Sequence, residues 1–210
     1  MSQPVTFYYH PHSTAAVTLW ELIELGIPVE KVKMDLVTKR DQDRADFRAL
    51  NPNGKVPVIV HDGTPIFESA AITMYLGEQF GVSRKLYPEP GPRRGEAMAW
   101  IAWTNVTLME TFARFQRNTS DRIPAEQHNA AQGEIAKTEL AQLLGILDKA
   151  IGNKPWLLGD QFTLADIHVV CFLGYFKMCG VDLAPYANVD AWVKRAEARP
   201  AAQLASTEAP

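Results

Sequence analysis

The stretch Asn51-Pro-Asn-Gly-Lys-Val-Pro-Val-Ile-Val-His-Asp-Gly-Thr-Pro-Ile-Phe-Glu-Ser69 limits the folds open to this chain more than any other. It reads as a loop, a strand, a two-residue turn, a second strand and a helix start. Val56 to Val60 is a short β-branched run. Asp62-Gly63 supplies the positive φ angles of a tight hairpin, so Thr64 to Phe67 returns as the partner strand. Pro57 cannot donate to a sheet ladder, which places it at an edge, at a strand's first residue or in a cis bond that presents Val56 outward. Glu68-Ser69 then opens a helix over Ala70 to Phe80, whose free N–H groups and positive end favour an anionic group.

The segments on either side extend this pattern. Val5 to Tyr9 is a β-branched and aromatic strand, and His10-Pro-His-Ser-Thr14 is a turn that ends in two good N-caps. From Ala15 to Leu25 the polar residues Thr18, Glu21 and Glu24 form one narrow stripe on an otherwise apolar, largely buried helix, which Gly26 and Pro28 terminate. Val32, Met34 and Leu36 alternate with Lys31, Lys33 and Asp35, a strand with one wet face. Lys39 to Leu50 is charged and reads as a short helix or loop. The order βαβ, α, ββ, α is that of an α/β thioredoxin-like domain.

After Val82 the character changes. Leu86-Tyr-Pro-Glu-Pro-Gly-Pro92 is a connector, and everything beyond it reads as all-α. The expected division is a thioredoxin-like domain over 1–82, a linker over 83–95 and a helical domain over 96–210. Its helices are expected at Glu96–Phe115, from Pro124 to about Ile151, from Asp166 to about Cys179, and at Asn188–Arg199, where Pro200 ends the last. Thr163 and Asp166 stand in capping-box register with aspartate replacing glutamate.

Two strings in the first half resemble signatures of the glutathione transferase family. Asn51 to Pro57 is similar to its N-P-x-G-x-V-P string, and Phe67 to Ile72 to its [E/Q]-S-x-A-I string. Trp156 to Ile167 resembles the family's L-x-G-x-x-[F/L]-[S/T]-x-A-D-I string, which is structural. The resemblance, to bacterial cytosolic members of the serine, theta or beta kind, covers about residues 5 to 200. It implies that Val56, beside Pro57, pairs through its backbone with the cysteinyl part of glutathione. Glu68 and Ser69 then hold the γ-glutamyl end, and Lys39 and Lys55 meet the glycyl carboxylate. Tyr9, His12, Trp103 and Asn105 are expected to line the pocket of the second substrate.

The turn after the first strand decides the chemistry. It contains no cysteine, so direct thiol–disulfide exchange is not expected. Ser13 and Thr14 stand where serine-type members place the hydroxyl that hydrogen-bonds the glutathione sulfur. The serine-type motif favours Ser13, while counting back from Gly26 favours Thr14. Tyr8 and Tyr9 are rivals that read as strand packing, and either hydroxyl could simply cap the helix. His10 and His12 read as solvated turn histidines, so no metal is expected.

The resulting expectation is a transferase that activates the glutathione thiol as thiolate and conjugates it to a small hydrophobic electrophile in detoxification. Another glutathione-dependent enzyme (isomerase, dehalogenase, ether-cleaving member) and a non-catalytic scaffold are the alternatives. Family membership also implies a homodimer. A balance of 21 basic and 24 acidic residues, net −3, offers nucleic acid no electrostatic partner. No apolar run approaches the roughly 18 residues that cross a bilayer, and Met1 to Thr6 has no secretory pattern. Cys171 and Cys179 stand about 12 Å apart along one expected helix, too far for a disulfide. A cytoplasmic setting follows from that reading.

Overall fold

Asp62 and Gly63 take φ of 47° and 76°, the paired positive angles that turn one strand back on the next. Around this turn the computed structural model, which describes residues 4–208, builds β3 (Val58–His61) and β4 (Thr64–Phe67) as an antiparallel hairpin. The leader reading and the outer ends of the two expected domains touch residues 1–3 and 209–210, which lie outside the described residues. β1 (Val5–Tyr9) runs antiparallel to β3 and parallel to β2 (Val29–Lys33), giving the sheet order β2-β1-β3-β4. The Val56–Pro57 bond is cis, and Pro57 precedes the first residue of β3.

The helix α1 (Ala15–Leu25) ends at Gly26 in the left-handed conformation, as the Gly26 and Pro28 pattern requires. Its polar stripe departs from expectation. Thr18 and Glu21 are fully buried, because α1 packs on the sheet and is covered on its other side by helices of the second half. β2 begins earlier than the alternation of Val32, Met34 and Leu36 suggests. Only Met34 of its end is buried, and its N–H continues the ladder by donating to the Tyr9 carbonyl at 2.8 Å. Val32 and Leu36 pack beside Met34 while Lys31 and Lys33 are exposed, so the alternation gives the one wet face expected of it. α2 (Ala45–Leu50) closes the opposite sheet face, where Phe47, Met34 and Val58 form a small cluster. α3 (Ser69–Leu76) follows β4 and passes into a π turn over Gly77–Gly81.

The connector is firmly packed. Tyr87 is buried against Gly77 and Gly81, where a Cβ on Gly77 would stand 2.5 Å from the Tyr87 ring. Close approach explains both glycines. α4 (Pro92–Trp103) starts inside the expected linker, because Pro92 occupies the first helical turn, where a missing N–H is harmless. A π turn over Thr104–Leu108 joins it to α5 (Met109–Thr119). Pro124 opens only a short 3-10 turn. The long α6 (Ala130–Ile151) begins later, capped by the Asn129 side chain accepting from Gln132 N–H at 3.1 Å.

α7 (Leu164–Met178) is the buried centre of the helical half. At its start the Asp166 carboxyl accepts from the Thr163 N–H and hydroxyl, the Leu157 N–H and the Trp192 indole, all at 2.8–2.9 Å. Burial pushes the Asp166 carboxyl up from its ordinary range, against the pull of those four donors. α8 (Ala187–Glu197) contributes Trp192. Pro200, expected to end the last helix, instead starts another. α9 (Pro200–Glu208) returns to α1, where Arg199 pairs with Glu24. Proline both stops one helix and suits the first turn of the next. One continuous apolar cluster runs from Phe7 and Ile59 through Leu22, Ile72 and Leu76 to Ile101, Val169 and Trp192, so both halves share a core.

Candidate functional site

Sheet register places the expected site. Tyr8 stands opposite Val58, and Val58 opposite Phe67. The residues that follow Tyr8, precede Val58 and follow Phe67 therefore leave the same edge of the sheet. The His10–Thr14 turn, Val56-Pro57 and Glu68-Ser69 emerge side by side.

The loop before Val56 is shaped by Asn51. This buried side chain donates to the Lys55 carbonyl at 2.7 Å and accepts from the Asn53 N–H at 3.0 Å. Gly54 takes φ +61°, and a Cβ there would meet the Gln42 carbonyl at 2.9 Å. These two contacts explain why asparagine and glycine stand at their places in the string. Among the described residues, neither the N–H nor the C=O of Val56 finds a hydrogen-bond partner. Lys39 and Lys55 are exposed and, among the described residues, form no ion pair.

Glu68 occupies the N-cap of α3 with φ 68° and ψ 118°, a sparsely populated conformation for a residue with a side chain. Such strain costs about 1–3 kcal/mol and survives only where surrounding packing enforces it. Glu68 is exposed, whereas Ser69, the next residue, is buried. Ser69 Oγ accepts from Asn105 Nδ2 at 3.1 Å. Asn105 lies in the π turn after α4, and such turns re-aim side chains that a regular helix would point elsewhere. The structure thus places Asn105 against Ser69. Trp103 packs edge-on against Trp100.

The turn after β1 is built differently. Ser13 Oγ donates to the His10 carbonyl at 2.7 Å and accepts from the Ala15 N–H at 3.2 Å. Thr14, at the N-cap of α1, is exposed and makes no side-chain capping bond. The exposed His12 uses its N–H on His10 Nδ1. Tyr9 stacks on Phe7, and Tyr8 leans on Phe47. Among the described residues no group of three or more His, Cys, Asp or Glu side chains could hold a metal ion.

Sequence reasoning missed the groups behind Ser69. Thr73, one turn along α3, contacts both Glu21 and His168, and His168 reaches Asn105. Burial pushes the Glu21 carboxyl well up from its ordinary range and the His168 imidazole down to about 3, in each case against the charged form. The available signals were a glutamate amid apolar residues in α1 and a lone histidine in the all-apolar stretch of α7.

Comparison with known proteins gives one answer across both halves. Residues 3–78 match the family model described as "Glutathione S-transferase, N-terminal domain", and residues 104–200 its C-terminal counterpart. The chain is 31% identical over 185 residues to Glutathione S-transferase GstB of Escherichia coli K12, covering 87% of this chain and 88% of that one. Among solved structures, a glutathione transferase from Methylococcus capsulatus str. Bath is 28% identical, with a TM-score of 0.83 and 98% of each chain covered. A theta class glutathione S-transferase from Xanthomonas axonopodis pv. citri, solved with glutathione bound, is also 28% identical. Its TM-score is 0.83, over 97% of this chain and 98% of that one. With both domain models matched in order on the fold just described, the chain belongs to the glutathione S-transferase family.

Proposed function

We propose that this chain binds glutathione across the sheet edge, stabilises its thiolate and transfers it to a small hydrophobic electrophile. The observation that carries the reading is the convergence at the start of α3. Ser69 is held by Asn105, Glu68 projects at the cap, and Val56 offers its backbone beside the cis proline. A zwitterionic γ-glutamyl group suits a carboxylate next to a helix N-terminus, which together meet its two charges. Lys39 and Lys55, both exposed, are assigned to the glycyl carboxylate in this reading.

Ser13 is the donor to the sulfur in this reading, with Thr14 second. Turning from the His10 carbonyl to a thiolate exchanges a neutral hydrogen bond for a charge-assisted one, a favourable trade. Thr14 would give up no capping bond and is the rival on that ground. Tyr9, His12 and Trp103 are assigned to the electrophile's side. Asn105 moves in this reading from the acceptor pocket to the clamp, because its amide is engaged on Ser69. A homodimer in a reducing cytoplasm belongs to the same proposal, and the free thiols of Cys171 and Cys179 support its reducing setting.

The test is retention on immobilised glutathione with release by free glutathione, followed by turnover of a panel of electrophile classes. Binding with turnover is the expected result. Binding without turnover on any class would favour the scaffold, and no binding would overturn the proposal.

A further inference from the structure

Where α1, α3 and α7 meet, a polar chain runs through the shared core and ends at the candidate site. Glu21, fully buried in α1, has Oε1 2.5 Å from the Thr73 hydroxyl. Thr73 Oγ1 lies 2.8 Å from His168 Nδ1, His168 Nε2 lies 2.7 Å from Asn105 Oδ1, and Asn105 Nδ2 lies 3.1 Å from Ser69 Oγ. We propose that Glu21 is a positioning residue for glutathione: donation from its carboxyl group sets the direction of the whole chain and leaves the Ser69 hydroxyl hydrogen free for the ligand. The inference rests on the reading of Ser69 as a γ-glutamyl donor.

Counting hydrogens gives the direction. An amide oxygen only accepts, so His168 carries its hydrogen on Nε2 and presents a lone pair at Nδ1. A neutral ring cannot donate from both nitrogens. The single hydroxyl hydrogen of Thr73 therefore goes to Nδ1. The Ser69 carbonyl, 2.9 Å away, competes for it, but the buried ring nitrogen would otherwise be left unpaired. Thr73 then has only lone pairs to show Glu21, and at 2.5 Å the carboxyl group must be the donor. At the other end, the Asn105 NH₂ donates to Ser69 Oγ, so the hydrogen of Ser69 is not consumed inside the protein.

Removal of the Glu21 proton would reverse every step. Thr73 would turn its hydrogen to the carboxylate, and the ring hydrogen would move to Nδ1. Asn105 would turn its amide over, and its oxygen would take the Ser69 hydrogen away from the ligand. The surroundings oppose that reversal. Thr73 stands between Glu21 and His168, and Cys171 of α7 and Tyr87 of the connector lie within reach of a charge on Glu21. Among the described residues, neither the second Glu21 oxygen nor the buried Thr18 hydroxyl of the same helix has a hydrogen-bond partner. On the α9 side Arg199 is taken by Glu24, so no cation supports a Glu21 carboxylate among the described residues.

Calorimetry with glutathione on the full chain tests the proposal, using Glu21→Gln, Glu21→Leu, Ser69→Ala and the Glu21→Leu/Ser69→Ala double variant. Glu21→Gln keeps a donor at the position and should bind within about twofold of wild type. Glu21→Leu should bind about threefold or more weakly, and Ser69→Ala about tenfold. The double variant should be no weaker than Ser69→Ala, because Glu21 acts through Ser69. Nitrogen-15 spectroscopy of the ligand-free protein should find His168 protonated at Nε2 in wild type and Glu21→Gln, with Nδ1 protonation growing in Glu21→Leu. Wild-type affinity in a natively melting Glu21→Leu, an additive double variant, or an Nδ1–H tautomer in wild type would overturn the proposal. Should Glu21→Leu fail to fold, the tautomer in the other two proteins decides. Loss of the clamp reading is recognised separately: Ser69→Ala would then bind as wild type does, and the proposal would fall with it, whatever the tautomer.

Discussion

The two helix starts that border the site are built in opposite ways. The turn leading into α1 is satisfied within itself: Ser13 bonds His10 and Ala15, and His12 bonds His10. The start of α3 is tied to distant parts of the chain, through Asn105 to α7 and through Thr73 to α1. A buried, interlocked hydroxyl is ordered before a ligand arrives, so the ligand avoids the entropy of ordering it. A half-exposed turn hydroxyl can change partners for a thiol that enters and leaves. Under the proposed function, the contrast suits a site that would hold glutathione by its γ-glutamyl end and leave its sulfur open to a second substrate.

That contrast can be broken at the buried end by pH. Folded Glu21 holds its proton above the unfolded value of 4.5, so the unfolded chain binds fewer protons once pH exceeds that value. Wild-type stability should therefore fall with rising pH relative to Glu21→Gln, by as much as about 1.4 kcal/mol for each pH unit until the folded group titrates. His168 acts with the opposite sign: its folded value of about 3 against 6.5 unfolded makes stability fall as pH drops through that window. Denaturant melts of both proteins from mildly acid to neutral pH measure the difference. A constant gap would mean that the carboxyl is not protected as described.

At the α3 start itself, Ser69→Ala should weaken glutathione binding by about tenfold or more, the loss of one charge-assisted bond worth roughly 1.5–3 kcal/mol. Ser13→Ala should change the same calorimetric constant by less than about threefold. Equal losses at the two positions would erase the division of labour.

Thr163→Ala separates folding from binding. Loss of its cap should cost about 0.5–2 kcal/mol in a denaturant melt, with the glutathione affinity of the folded protein unchanged. A melt like wild type with impaired binding would show that the Thr163–Asp166 box serves the site directly.

The smallest expected effect lies in the turn. Deleting the Ser13 donor should raise the pKa of the bound thiol by up to about one unit, because a neutral donor is worth about 0.5–1.5 kcal/mol. Thiolate ultraviolet absorbance under saturating glutathione reads it directly. Thr14→Ala should shift it less; a larger shift there would move the donor one residue along, and a shift only in Tyr8→Phe would move it to β1.

Much of this molecule was legible because short segments carry their own geometry. The Asp62-Gly63 hairpin, the start of α3 at Ser69, the stop at Gly26 and the pairing of Thr163 with Asp166 depend on backbone rules that act over a few residues. Family strings made the candidate site readable for the same reason, since Asn51 and Gly54 shape their loop from within. Where neighbours along the chain supply no signal, the reading failed. The bounds of β2 were placed too late, since the strand runs over Val29–Lys33, and Pro200 was read as a stop when it also begins α9. Only the tertiary structure could bring Glu21, Thr73, His168, Asn105 and Ser69 together. Thr73 and His168 are 95 positions apart, and a glutamate in an apolar helix reads as solvated until the surface that covers it is known. Local sequence determined the elements and the edge from which the site emerges. Packing between the two halves decided which polar groups lost water, and so which had to find one another.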